Sequence, residues 1–119
     1  MREKLCNLKD IFKIIYHFEN EVKNITGNSI NELLILCSLE HNKNISPKEL
    51  SEEMGVSAGR ISKILSSLEE KEFIERRLGK EDKRHMFFDL TNKGNEQLKM
   101  FQNSGIVIPQ ISIRGGNYD

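Results

Sequence analysis

The stretch SPKELSEEMGVSAGRISKILSSLEEKEF, Ser46 to Phe73, decides the fold. Ser46-Pro47-Lys48-Glu49 is a capping box, in which the serine hydroxyl and the glutamate carboxylate satisfy free backbone N–H groups reciprocally. Pro47 stands at the first helical position, where its missing donor costs nothing. Leu50 and Met54 face inward on a short helix that Gly55 ends. Val56 bridges the turn and Ser57 caps a second helix, along which Ile61, Ile64, Leu65 and Leu68 keep the helical period. Its opposite face, Ala58, Gly59, Arg60, Ser62, Lys63, Ser66 and Ser67, is small, polar or basic. A short helix, a glycine-containing turn and a second helix that opens on small polar residues make a helix-turn-helix.

Downstream, Phe73–Leu78 and Arg84–Leu90 read as strands around Gly79-Lys80-Glu81-Asp82-Lys83. Met86, Phe88 and Leu90 share one parity, which points them to the core. The predicted fold class is mainly α with a small β-hairpin wing (α+β), a winged helix-turn-helix. Upstream, residues 5–25 carry apolar residues at helical spacing in two sets, Leu5, Leu8, Phe12, Ile15 and Val22, and Ile11, Ile14, Phe18 and Ile25. Two stripes predict a helix that touches more than one surface, such as its own core and a partner. Gly27 breaks it, and Ser29-Ile30-Asn31-Glu32 is another capping box that starts a largely buried helix through Leu33, Leu34, Leu36, Cys37 and Leu39. His41 to Asn44 reads as a loop. A last helix is predicted from about Thr91 to Gln102 or Asn103, with Gly94 weakening its start. The tail from Ile106 to Ile113 looks extended, and Pro109 confines it to a sheet edge or an irregular segment.

At 119 residues the chain is long enough for one modest core. Its longest apolar run, Leu33 to Cys37, is far short of a membrane span. The opening residues mix both charge signs without the apolar stretch of a signal peptide, which predicts a cytoplasmic protein. Cys6 and Cys37 are too far apart in sequence to suggest a disulfide framework. Net charge is zero, but its distribution is uneven: Ser57 to Ser67 holds Arg60 and Lys63 and no acid.

That local bias points to nucleic acid. Side chains at the start of the second helix must come close to base edges, so bulky residues there would hold the backbone away. Ser57, Ala58, Gly59, Ser62 and Ser66 allow the approach, and Arg60 and Lys63 can reach guanine edges or phosphates. Those two cations alone are equally consistent with a solvated helix face. The hairpin adds Arg76, Arg77, Lys80, Lys83 and Arg84, and an arginine on a narrow projection suits a minor groove. Asp82 either holds Arg84 extended or caps the turn.

Catalysis finds no support: there is no nucleophile with a base, no glycine-rich phosphate loop and no carboxylate pair at useful spacing. Cys37 and His41 stand one helical turn apart, the spacing of half a metal site, yet Cys37 lies in an apolar run and reads as a buried structural cysteine. No metal or cofactor is predicted. His17 and His85 read as surface groups.

The chain resembles the MarR family of bacterial winged-helix regulators. The resemblance is carried by Ser46-Pro47-Lys48-Glu49-Leu50, Gly55-Val56-Ser57, Ile61-Ser62-Lys63-Ile64-Leu65, Leu68-Glu69-Glu70-Lys71, Ile74 with Arg76, and Asp82-Lys83-Arg84 with Leu90-Thr91-Asn92-Lys93-Gly94, over roughly residues 5–103. It implies a homodimeric transcriptional regulator, more often a repressor, on pseudo-palindromic double-stranded DNA. The second helix of the motif would lie in the major groove and Arg84 in the flanking minor groove. It implies release by a small-molecule effector or an oxidant, acting between the dimer region and the DNA-binding lobe. Some oxidant-sensing members place a reactive cysteine near the position of Cys6, which here is either a redox sensor or inert. The division that follows is residues 1–28 as an N-terminal dimerisation helix, 29–94 as the DNA-binding domain, and 95–119 as a C-terminal helix and tail that join the dimer. In two places the sequence departs from the pattern. Glu72 replaces the usual glycine after the recognition helix, which predicts a different helix end, and only sixteen residues follow Asn103 where the family has a long helix. The alternative function is a winged-helix module for protein contacts without DNA binding.

Overall fold

The chain forms five helices and one hairpin in the order α1 (Arg2–Thr26), α2 (Ile30–His41), α3 (Pro47–Met54), α4 (Ala58–Glu70), β1 (Ile74–Leu78), β2 (Met86–Leu90) and α5 (Asn92–Gln102). The computed structural model describes residues 2–79 and 85–110. Among these, no helix is long and apolar enough to cross a membrane.

Both predicted capping boxes form. Ser29 accepts from the Glu32 N–H and Glu32 returns to the Ser29 N–H; Ser46 and Glu49 do the same. Gly55 ends α3 in the left-handed region at φ 67°, where glycine pays no Cβ penalty. The Ser51 hydroxyl then donates to the Val56 carbonyl at 2.5 Å and locks the turn. At the α1–α2 corner, the buried Asn28 side chain donates to the Thr26 carbonyl and, at 2.8 Å, to Gln97 of α5.

The core lies where α2, α3, α4 and the hairpin meet. Ile35, Leu36, Leu50, Ile61, Leu68 and Ile74 are almost wholly removed from water. Ile74 pairs with Leu90 and Leu78 with Met86 in the antiparallel ladder. Phe88 is buried while Met86 and Leu90 pack against the core from its edge, as their shared parity predicts.

Helix α1 reaches this core through its C-terminal half, with Val22 and Thr26 buried and Phe18 packed against the core. Phe18 meets Phe101 of α5 edge to face at 6.5 Å between ring centres. Farther toward the N-terminus, Leu5, Leu8, Phe12 and Tyr16 are exposed. Of the two expected stripes, the first is exposed at Leu5, Leu8 and Phe12 and buried at Val22, while in the second Ile14 and Ile25 are exposed and Phe18 packs on the core. After α5 the segment up to Gln110 has no regular secondary structure, with Val107 and Pro109 near α1. The rest of the tail, from Ile111, lies outside the described residues.

Two expectations are corrected. Glu72 does not change how α4 ends, because it adopts φ 65° itself. The Phe73 N–H donates to the Leu68 carbonyl and the Glu72 N–H to the Glu69 carbonyl, both at 3.0 Å, which is the Schellman pattern with glutamate at the left-handed position. Burial of Leu68 and Phe73, and the Thr91 hydroxyl donating to the Glu72 carbonyl at 2.7 Å, hold that conformation against its intrinsic cost. Glu72→Gly is expected to stabilise the fold by about 0.5–1 kcal/mol, the left-handed penalty less glycine's greater unfolded-state freedom. Urea unfolding measures it, and an unmoved or lower midpoint would show that Glu72 is not strained.

Gly94 is the second correction. Its presence in α5 is a packing requirement, since a Cβ there would stand 2.1 Å from the Phe73 carbonyl oxygen.

Candidate nucleic-acid interface

Helix α4 carries the central group of predicted residues. Ser57 caps it, its hydroxyl accepting from the Arg60 N–H at 3.3 Å. Ile61, Leu65 and Leu68 are buried on one face. That anchoring leaves Ala58, Gly59, Arg60, Ser62, Lys63 and Ser66 exposed. A Cβ at Gly59 would meet nothing within 4 Å, so the backbone there is open to a large partner. The surface is cationic, and among the described residues no ion pair engages its two cations, Arg60 and Lys63.

The two hairpin arginines differ. Arg76 donates through Nε and Nη2 to Glu69 at 3.1 and 2.9 Å, which ties β1 to the end of α4. Arg77, on the other face, donates through Nε to Asp89 and through Nη2 to the Lys43 carbonyl at 2.8 Å. Their cations are thus engaged within the chain. Lys80, Asp82, Lys83 and Arg84 lie outside the described residues.

Glu32 is a contact that the sequence reading missed beyond its capping role. It is buried, and its Oε2 accepts from Lys71 Nζ at 2.6 Å, which links the start of α2 to the C-cap of α4. Burial alone would raise its pKa, but the bonds from Lys71 and Ser29 outweigh that and hold it below the ordinary carboxylate value. A depressed pKa contributes stability that is present above the unfolded value, about 4.3, and is lost as pH falls through the folded one. Glu32→Gln is therefore expected to flatten the acid side of the stability profile below about pH 4.3. Identical acid slopes for both proteins in denaturant titrations would refute the link.

Cys6 is exposed and Cys37 half-buried. Cys37 and His41 line one shallow cavity at the α2–α3 corner. Among the described residues no group of three or more metal-ligating side chains converges. A cleft of about 340 Å³ lies between α1 and α4, lined by Glu19, Lys23, Asn31, Arg60 and Ile64 among others.

Residues 29–86, which include the helix-turn-helix and β1 and end at the first residue of β2, match the model of the MarR family. This winged-helix region is of the MarR family. It is 35% identical over 85 residues to the transcriptional repressor MprA of Escherichia coli, a match that takes in 68% of this chain and 48% of MprA. The chain thus spans about half the length of that curated relative. Among solved structures it is similar to Streptococcus pneumoniae FabT in complex with DNA, with TM-score 0.68 and 25% identity over 87% of this chain and 74% of that one. It is also similar to a cysteine-to-serine mutant of MarR from E. coli complexed with operator DNA, with TM-score 0.75 and 22% identity over 87% of this chain and 76% of that one. The latter likeness speaks to the fold. The MarR-family winged helix is accordingly the architecture on which the exposed face of α4 is mounted.

Proposed function

We propose that this chain is a sequence-specific, DNA-binding transcriptional regulator, a repressor that acts in the cytoplasm as a homodimer on a pseudo-palindromic operator. The observation that carries the reading is the start of α4: a capped, firmly anchored helix whose outward face is small, polar and cationic, with Arg60 and Lys63 free of internal ion pairs among the described residues. Such a face enters a major groove without steric obstruction. Arg84 is assigned to the flanking minor groove by its place in the Asp-x-Arg motif of the hairpin. The uncovered apolar stripe of α1 supports a subunit interface there, since patches of that kind on otherwise polar helices are covered by partners. Effector control is assigned to the cleft between α1 and α4, which Arg60 lines together with Glu19 and Lys23. Oxidation of the exposed Cys6 is the second route to release.

Repeated selection of bound sites from random DNA, with the oligomer mass measured alongside, tests the reading. A palindrome with half-sites about 10 bp apart and a dimer mass are expected. No enrichment, together with a stable complex with another protein, would instead make the chain a protein-contact module.

A further inference from the structure

The Arg77 guanidinium bridges parts of the chain that lie 34 residues apart in sequence. Its Nε donates to the Asp89 carboxylate at 3.2 and 3.0 Å, across the ladder from β1 to β2. Its Nη2 donates to the Lys43 carbonyl at 2.8 Å and to Asn44 Oδ1 at 3.3 Å. The Phe87 ring lies beneath it, 5.2 Å from its centre.

The anchor at the far end is stiff. The Asn44 N–H donates to Asn42 Oδ1 at 3.0 Å, Ile45 is buried, and Ser46 immediately begins the cap of α3. On the opposite face of the hairpin Arg76 holds Glu69 near the end of α4. The hairpin is thus braced at both ends of the helix-turn-helix, once to the loop before α3 and once to the last turn of α4. A phosphate could recruit Arg77 only by displacing a carboxylate that already neutralises it.

We propose that Arg77 and Asp89 are positioning residues that set the angle of the wing against the helix-turn-helix, so that Arg77 acts on DNA through that angle and not through a phosphate contact of its own. The proposal rests on the DNA-binding reading above. It has a consequence of opposite sign to the direct-contact alternative. An acid next to a phosphate-binding arginine weakens DNA binding, so its removal would tighten the complex. An acid that holds a brace strengthens binding.

The test is the affinity of the full chain for its selected operator, measured against salt for wild type, Arg77→Ala, Asp89→Asn and the double variant. Both single variants are expected to bind about fivefold to tenfold more weakly, and the double variant no more weakly than either, because they break one shared brace. The log–log salt slope should stay at the wild-type value, since no phosphate contact is lost. Arg77→Lys should not rescue, because a point cation cannot span Asp89 and the loop together. Asn44→Ala, which removes only one acceptor, should weaken binding in the same direction and serves where Arg77→Ala fails to fold. Tighter binding by Asp89→Asn, or a slope reduced by about 0.9 per contact in Arg77→Ala, would overturn the proposal in favour of a direct contact. Variants indistinguishable from wild type would overturn it as well. A wild type that is not retained on DNA would instead refute the DNA-binding reading and the brace's role with it.

Discussion

Gly94→Ala is expected to cost about 2–4 kcal/mol of stability, a large share of what a domain of this size has. The new Cβ would stand 2.1 Å from the Phe73 carbonyl oxygen and 2.8 Å from Leu90 Cδ1. The Leu90 methyl is the end of a flexible side chain and can turn away, but the Phe73 carbonyl is backbone and cannot yield cheaply. The Phe73 carbonyl already accepts the Thr91 N–H at 3.1 Å, and Phe73 follows the left-handed Glu72 that ends α4. Leu90 is paired with Ile74 at the core edge. Relief would require α5 to move off the hairpin, with loss of packing along both. Gly59→Ala is the matched control: it is also a helical glycine, but nothing lies within 4 Å of its added Cβ. There the change should stabilise by about 0.5–1 kcal/mol through helix propensity alone. Thermal or urea unfolding of the two variants should shift the midpoint in opposite directions. Equal shifts would mean that α5 does not pack on Phe73 as described.

Joint replacement of Arg60 and Lys63 by alanine is expected to weaken operator binding about a hundredfold, with each residue contributing on the order of 1–3 kcal/mol if it reaches a base edge. The fold should survive, since both side chains are exposed and neither takes part in an ion pair among the described residues. The single variants separate the two kinds of contact. One that reaches a base relaxes sequence preference at a single position, whereas one that reaches a phosphate weakens all sequences alike and lowers the salt slope. A double variant that binds within twofold of wild type, with an unchanged thermal midpoint, would remove the face of α4 from the interface.

Much of this was legible in the residues. The boxes at Ser29 and Ser46, the left-handed Gly55 and the cap at Ser57 are local devices, each complete within a few positions, so their sequence signature and their geometry coincide. The inward parity of Met86, Phe88 and Leu90 is local in the same sense. What escaped was long-range. Gly94 read as a weak point of α5, because propensity knows nothing of a carbonyl twenty-one residues upstream, in the turn between α4 and β1. Glu72 broke a rule about glycine, and burial of its neighbours overrode the rule. Arg76 and Arg77 read as a cationic strand, yet the acids that engage them sit on α4 and β2. A charge count along the sequence cannot tell a cation awaiting DNA from one already bonded within the chain. Lys71 and Glu32 show the same blindness across 39 residues.

The placement of α4 is tested most directly by methylation interference on the selected operator. Guanine N7 lies in the major groove and adenine N3 in the minor groove, so the position of a blocking methyl group reports which groove the helix occupies. Loss of binding on N7 methylation within each half-site, relieved when Arg60 and Lys63 are alanine, is the expected result. Interference confined to adenine N3, or none in either groove, would contradict a recognition helix seated on bases.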